Sequence, residues 1–137
     1  MSELQNKSEI NYDSAEILHQ KGNYPSVAHC AYYSCYQLLR HIWYNTLNKT
    51  ESDLKVIIQN SQSIRASQKG THDILINEIE KYIKLNNPSD FRVINANIGQ
   101  LKKLRHSADY SDSSFLYNDS LKAIELSGNI RPVLKKY

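Results

Sequence analysis

The residues around position 105 are the best candidates for chemistry in this sequence. Arg105 and Asp109 are four residues apart, so on a helix their side chains can form an ion pair, and Tyr110 follows directly. One interpretation is a solvated helix end with a single ion pair. The other is a polar cluster at a helix terminus, in which Arg105, Asp109 and Tyr110 bind a ligand or face a partner.

His72 is a second candidate for a catalytic residue. It is close to the predicted start of a helix, where the helix dipole disfavours an imidazolium ion. Arg65 precedes it with six residues between them, and a neutral histidine near an arginine can take part in acid–base chemistry. The spacing alone does not separate such a pair from two unrelated residues.

Four other residues on one predicted helix have side chains that bind metals, namely His29, Cys30, Cys35 and His41. Zinc needs ligands on a common side, and this spacing spreads them around the helix. The two cysteines are five residues apart and cannot easily pair, so we expect reduced thiols, packing roles and no metal. The sequence contains no glycine-rich phosphate loop and no paired-carboxylate site, so we expect no cofactor.

Composition and charge set the class of protein. The 137 residues are 40% hydrophobic and 23% charged, as in one compact globular domain, and we treat residues 1–137 as a single domain. The formal charge of +3 permits nucleic-acid contact without indicating it, because charges of both signs alternate along the chain. The polar N-terminus and the lack of a long apolar run predict no signal peptide, no membrane span and a cytoplasmic location.

The periodicity of apolar residues predicts an all-α, up-and-down bundle of five or six helices. The central helix is expected over residues 24–47, which are apolar almost all the way round, with Ala28, Ala31 and Cys35 as a stripe of small side chains. The other helices are expected to begin near Ser8, Leu54, Thr71, Ser89 and Phe115.

Three local features add detail to this prediction. Ile10, Ser14, Ile17 and Leu18 are the expected inner stripe of the first helix. Thr71 and Ser89 are candidate N-caps. The last helix is expected to be kinked or interrupted at residues 128–129 and at Pro132.

Two sequence motifs occur together in this order. The segment AHCAYYSCYQLLRH (residues 28–41), preceded by AEILHQKGNY (residues 15–24), resembles the second helix of HEPN domains, the higher eukaryotes and prokaryotes nucleotide-binding family. The segment LKKLRHSADY (residues 101–110) resembles the Leu-Arg-x(3)-Asp-Tyr signature near the late helices of that family. The likeness covers most of the chain in order and spacing.

The resemblance implies a bundle of about five helices that is usually a homodimer. Many members are metal-independent ribonucleases with an Arg-x(4–6)-His motif, two copies of which meet across the dimer. Others are noncatalytic RNA-binding or toxin–antitoxin proteins, often beside a small nucleotidyltransferase. Here the residues that follow Arg105 at that spacing are Tyr110, Ser111 and Asp112, and His106 is adjacent to the arginine.

The expected function is therefore a dimeric RNA- or nucleotide-associated module of a toxin–antitoxin or defence system with a degenerate ribonuclease motif. Arg105, Tyr110 and His72 are the catalytic candidates if the alternative, an active metal-independent endoribonuclease, holds. A second alternative is a tetratricopeptide-like interaction scaffold, because residues 15–28 resemble one such unit. That family requires a repeat at about 34 residues, and the sequence contains no second copy.

Overall fold

A computed structural model describes residues 1–64 and 70–137, with side chains given for all of these except residues 62–64. The predicted all-α bundle is confirmed. Six helices and one π-helical turn follow one another: α1 (Glu3–Gln20), α2 (Tyr24–His41), the π turn (Ile42–Thr46), α3 (Glu51–Ile64), α4 (Thr71–Asn86), α5 (Pro88–Tyr110) and α6 (Tyr117–Leu134). No strand occurs in these two described segments.

The central position predicted for α2 is confirmed. It packs against α1, α5 and α6 and also contacts α4. Ala28, Ala31 and Cys35 are fully buried, as expected for a stripe of small residues that lets neighbouring backbones approach closely. Residues 2 and 8 of the chain contact residues 41 and 34, and residues 29 and 33 contact residues 109 and 105, so α1 and α5 run antiparallel to α2.

The predicted inner stripe of α1 is confirmed at Leu18, which packs against the core, and is wrong at Ile10 and Ile17. Ile10 and Ile17 are 64% and 51% exposed, whereas Ser8 and Ala15 are fully buried. The helix turns its small residues inward because it lies close to α2, where the Ser8 hydroxyl donates a 2.6 Å hydrogen bond to the Ser34 carbonyl. The helix also begins at Glu3 rather than near Ser8, because Ser2 forms a capping box with Gln5.

Hydroxyl groups join α2 to α6 inside the core. The Ser127 hydroxyl lies 2.8 Å from the Ser34 hydroxyl and 3.3 Å from Cys35 Sγ, and it donates to the Ala31 carbonyl at 3.0 Å. All of these residues are fully buried. Buried polar groups are tolerated only when they are hydrogen-bonded, so these bonds require α2 and α6 to keep one relative position.

The expected interruption of α6 does not occur. The helix is continuous from Tyr117 to Leu134, through Gly128 and with Pro132 inside it. A proline removes only the one hydrogen bond that its missing N–H would donate to the residue four positions earlier, and Pro132 falls close to the helix end. Gly128 lies against α1, where an added Cβ would come within 3.2 Å of the Tyr12 hydroxyl.

Helix boundaries differ from the prediction at three further points. Gly70, and not Thr71, is the N-cap residue of α4. Asn87, and not Ser89, caps α5, because its side chain accepts hydrogen bonds from the Ser89 and Asp90 amides and Pro88 is the first helical residue. The last helix begins two residues after Phe115, which is buried ahead of it.

The end of the central helix widens into the π turn. Trp43 lies in this turn, is 3% exposed, and donates its indole N–H to the Thr50 carbonyl at 2.9 Å. Thr50 in turn exchanges hydrogen bonds with Asp53 at the start of α3. The indole group therefore connects the core of the bundle to the beginning of α3.

Candidate functional site

Arg105 projects from the last two turns of α5 toward α2. Its side chain is only 15% exposed, and its Nε lies 3.1 Å from Asp109 Oδ2, so the predicted i, i+4 ion pair is confirmed. Its Nη2 donates to the Tyr33 hydroxyl at 3.2 Å. The Asp109 carboxylate also lies 3.6 Å from His29 Nδ1. The arginine is thus held in one place by α2 and α5 together rather than extended into solvent.

Aromatic rings surround the guanidinium group. Its central carbon lies 5.7 Å from the ring centroid of Tyr32, 5.5 Å from that of Tyr33 and 5.8 Å from that of Tyr110. These distances are in the range of cation–π interactions. Tyr110 is 68% exposed, whereas Tyr32 is fully buried. The arginine therefore lies where the core meets the surface.

His72, in the first turn of α4, lies on the same group of rings. Its Nδ1 is 3.0 Å from the Tyr32 hydroxyl, and its ring stacks on Tyr36 with centroids 3.9 Å apart. Tyr33 meets His72 edge-on at 5.8 Å. The arginine and the histidine, 33 positions apart in the chain, thus contact the same two tyrosines of α2.

The pKa of His72 is lowered from its ordinary value of 6.5, mainly by burial and next by the positive charges of Arg105 and Lys102. Arg40 acts in the same direction, and Asp73 opposes them. The position of His72 at a helix N-terminus adds to this effect. The imidazole is therefore neutral at neutral pH.

The hydrogen bond to Tyr32 determines what the neutral imidazole can do. Burial raises the pKa of Tyr32, so its hydroxyl keeps its proton. When His72 carries its proton on Nδ1, that nitrogen donates to the tyrosine and Nε2 keeps a free lone pair; in the other tautomer the tyrosine donates and Nδ1 accepts. A neutral imidazole with an acceptor Nδ1 carries its proton on Nε2. In this state His72 can donate a hydrogen bond to a ligand, but it has no free lone pair with which to act as a general base.

The structure brings Arg105, Asp109, Tyr110 and His72 into one region, while Arg65 lies outside the described residues. His106 contacts Tyr110 instead, with ring centroids 4.9 Å apart. The sequence prediction missed Tyr33 and Tyr36, because helical periodicity assigns both to a buried helix and does not show which residues of α4 and α5 face them.

A groove beside this cluster separates α4 from the last half of α5. Its volume is about 610 Å³, and it is lined by Asp73, Gly99, Lys102, Lys103, His106, Ser107 and Ser111. Lys102 and Asp73 form an ion pair across it. Although most of these residues are polar, the groove exposes mainly their apolar atoms.

The residues with metal-binding side chains do not converge. Cys30 and Cys35 are free thiols, half-buried and buried, and burial raises the pKa of both, that of Cys35 to about 11. No group of three or more His, Cys, Asp or Glu side chains within residues 1–61 and 70–137 is arranged to hold a metal ion. None of the described helices is both long and apolar enough to cross a membrane.

The environment of His72 predicts its titration. In an NMR titration its pKa should be below 6.5 in the folded protein, and it should rise in Arg105→Ala because a nearby positive charge is removed. Arg92→Ala, an exposed arginine on the same helix, is the control and should leave it unchanged.

The sign of the linked stability effect follows from the same shift. The folded protein favours the neutral form of His72. The contribution of this histidine to the free energy of unfolding is therefore fully present above the pKa of about 6.5 in the unfolded chain, and it is lost as the pH falls through the pKa of His72 in the folded protein. A His72 pKa at or above 6.5 would contradict the assigned environment.

Comparison of the chain with protein-family models, with curated proteins and with solved structures finds no match in any of the three. What is established is therefore an all-α bundle with one arginine–histidine–tyrosine cluster at the junction of α2, α4 and α5.

Proposed function

We propose that this protein is a HEPN-like RNA- or nucleotide-binding module, a homodimer of the toxin–antitoxin or defence type, whose site binds its ligand with little or no cleavage. The observation that carries the proposal is the fixed position of Arg105 among aromatic rings. A guanidinium group held in this way presents charge-assisted donors to a phosphate, and aromatic rings beside it can stack on a base.

The arginine retains capacity for a ligand. Its Nε is buried and, although close to Asp109, is not aligned with any acceptor among the described residues for a hydrogen bond. One Nη2 bond goes to a neutral tyrosine hydroxyl. Because Nε is buried, a phosphate oxygen that approaches from the solvent side would use the Nη donors of this partly exposed side chain.

Weak cleavage follows from the state of the nearby proton-transfer groups. The Nδ1 of His72 is hydrogen-bonded to Tyr32, and in the tautomer with the proton on Nε2 the imidazole has no lone pair free to act as a base. Tyr110, the residue at the spacing where the resemblance expects a histidine, is a phenol, a less suitable proton acceptor than an imidazole at neutral pH. Ribose 2′-hydroxyl activation is therefore inefficient for Tyr110, and for His72 in the tautomer with the proton on Nε2.

An active endoribonuclease is the second candidate, and one contact favours it. His72 and Arg105 share Tyr32 and Tyr33, so the histidine missing from the expected spacing is supplied from α4 instead. If a ligand displaced the Tyr32 hydroxyl from Nδ1, the imidazole would gain a free lone pair. Cleavage that is lost in His72→Ala would support this candidate.

The homodimer and the partner nucleotidyltransferase remain predictions from the resemblance. The surface next to Arg105 is suited to association, because Tyr110, Leu116 and Tyr117 are each more than half exposed at the α5–α6 end of the bundle. Large apolar side chains that are exposed together are typical of interaction surfaces. A monomeric mass by light scattering at tens of micromolar would contradict the dimer.

Arg105→Ala tests the binding site. We expect single-stranded RNA to bind the parent protein, to remain uncut with or without divalent metal, and to bind Arg105→Ala about tenfold more weakly, measured by fluorescence anisotropy. Arg92→Ala, an exposed arginine near the other end of α5, is the control for loss of general positive charge. Equal affinities of Arg105→Ala and the parent would remove this helix end from the site.

A further inference from the structure

A line of aromatic and basic side chains continues from the Arg105 cluster along α2. His29, Tyr33, Tyr36, Arg40 and Tyr44 are spaced by four, three, four and four residues, which places them on one face of the helix and its π turn. At 1.5 Å per residue they extend over about 22 Å. We call these five residues the α2 strip.

The side chains of the α2 strip contact one another in sequence. The His29 and Tyr33 ring centroids are 4.7 Å apart, and Tyr33 meets Tyr36 edge-on at 5.9 Å. The Arg40 guanidinium carbon lies 5.6 Å from the Tyr44 ring centroid. His29 is exposed and the other four are half-buried, so each presents part of its surface to solvent.

Positive charge lies at both ends of the tyrosine pair. Arg105 contacts Tyr33 on one side, and Arg40 follows Tyr36 on the other. Arg105 is paired with Asp109, and Lys102 with Asp73, whereas Arg40 has no carboxylate partner in the described part of the chain. Arg40 is therefore the unpaired charge of the α2 strip, and it lies next to aromatic rings.

The chemistry of the α2 strip suits nucleic acid better than a protein partner. The cores of protein interfaces are depleted in charge and rich in apolar contact area. None of the exposed large apolar side chains of the described residues belongs to α2, and the α2 strip presents hydroxyl, imidazole and guanidinium groups between its ring faces. Alternating rings and cations are typical of surfaces that bind single strands, where bases stack and phosphates pair with arginine.

We infer that the α2 strip binds an extended single strand of RNA, with one phosphate at Arg105, a second at Arg40 and bases against the parts of the intervening tyrosine rings that His72 and Arg105 leave exposed. This inference rests on the proposed function and adds a length and strand requirement to it. Bases of a duplex are already stacked and paired, so duplex RNA cannot use the tyrosine faces.

The test compares oligoribonucleotide length with the position of the mutation. For the parent protein we expect an octanucleotide to bind at least about tenfold more tightly than a mononucleotide, and a hairpin duplex to bind as weakly as the mononucleotide. Arg40→Ala should weaken octanucleotide binding about fivefold, leave mononucleotide binding unchanged, and reduce the salt slope by about one. Arg40→Gln should behave in the same way, and Arg92→Ala is the control.

The outcomes separate the two proposals. If Arg105→Ala weakens both ligands and the Arg40 variants weaken neither, the α2 strip is overturned and the proposed function stands. If none of these variants changes binding, both are overturned. Duplex that binds as tightly as the single strand would overturn the α2 strip, since stacking would then contribute nothing. Tyr44→Leu, which keeps an apolar side chain, should weaken only the octanucleotide.

Discussion

Glu9→Ala will destabilise the protein by about 2–3 kcal/mol, because it leaves a buried guanidinium without its carboxylate. Arg131 of α6 is only 7% exposed, and its Nη2 lies 3.0 Å from Glu9 Oε1. Removing one partner of a buried ion pair typically costs about 3–5 kcal/mol. A cost of about 2–3 kcal/mol, below that typical range, is expected here because Glu9 is 42% exposed and its charge is partly screened by solvent.

The remaining contacts of Arg131 cannot replace the carboxylate. Its Nε donates to the Ser8 hydroxyl at 3.3 Å, and its guanidinium carbon lies 4.6 Å from the Tyr12 ring centroid. Both partners are neutral. The free energy of unfolding should therefore fall in chemical denaturation of Glu9→Ala, while Asp13→Ala, an exposed acid on the same helix, should change it by less than about 0.5 kcal/mol.

A double variant makes the interpretation specific. Arg131→Met in the Glu9→Ala background removes the stranded charge and should recover much of the lost stability, since apolar replacement of a whole buried pair is often neutral. A double variant no more stable than Glu9→Ala would contradict the ion-pair explanation.

The pKa of Glu9 is lowered mainly by its hydrogen bond to Lys135. The contribution of the Glu9 carboxylate to the stability of the fold is therefore present above about pH 4.5 and is lost as the pH falls through the pKa of Glu9 in the folded protein.

Ala31→Leu is expected to destabilise the fold by about 1–3 kcal/mol, because the stripe of small residues is already closely packed. Ala31 is fully buried, and its carbonyl accepts hydrogen bonds from Ser34 at 2.7 Å and from Ser127 at 3.0 Å. A leucine would separate α2 from α6 and lengthen the bond to Ser127. Cys35→Leu, one turn further along, should have a similar effect.

Thermal and urea unfolding measure this effect, with Ala96→Leu as the matched control. Ala96 is exposed on α5, so the same substitution adds the same atoms without an enclosed space to overfill. We expect Ala96→Leu to stay within about 0.5 kcal/mol of the parent. Melting curves of Ala31→Leu and Cys35→Leu that match the parent would show that the packing of the small-residue stripe is not limiting.

The sequence was sufficient to predict the buried face of a helix whose apolar residues recur every three or four positions and pack against the core. On α5, Ile94, Ile98 and Leu101 recur at spacings of four and three, and all three are buried. On α1 the periodicity of apolar residues predicted the wrong positions. The contact with α2 is made through Ser8 and Ala15, whereas Ile10 and Ile17 face outward. Hydropathy ranks serine below isoleucine, and it cannot register a hydroxyl group that is buried because it has a hydrogen-bond acceptor.

In the candidate site, the contact within one helix could be predicted from the sequence and the contacts between helices could not. The Arg105–Asp109 pair is local to one helix, so its spacing was enough to predict it. His72 meets Tyr32 and Tyr36 across 40 and 36 positions of the chain, and only the packing of α4 on α2 brings them together. The sequence indicated His72 as a candidate by its residue type. The prediction paired this histidine with Arg65 by spacing along the chain, because the periodicity of apolar residues carries no information about contacts between helices.

Trp43 provides the protein with a built-in optical probe. It is the only tryptophan in the sequence, its ring is enclosed by the core, and its indole N–H bonds to the residue that caps α3. Fluorescence excited at the red edge of the absorption band therefore reports on one place, the junction of the π turn with α3. Separation of α3 would expose the indole to water and shift its emission to longer wavelength while the far-ultraviolet circular dichroism of the other helices persisted, so the two signals together distinguish local opening from global unfolding.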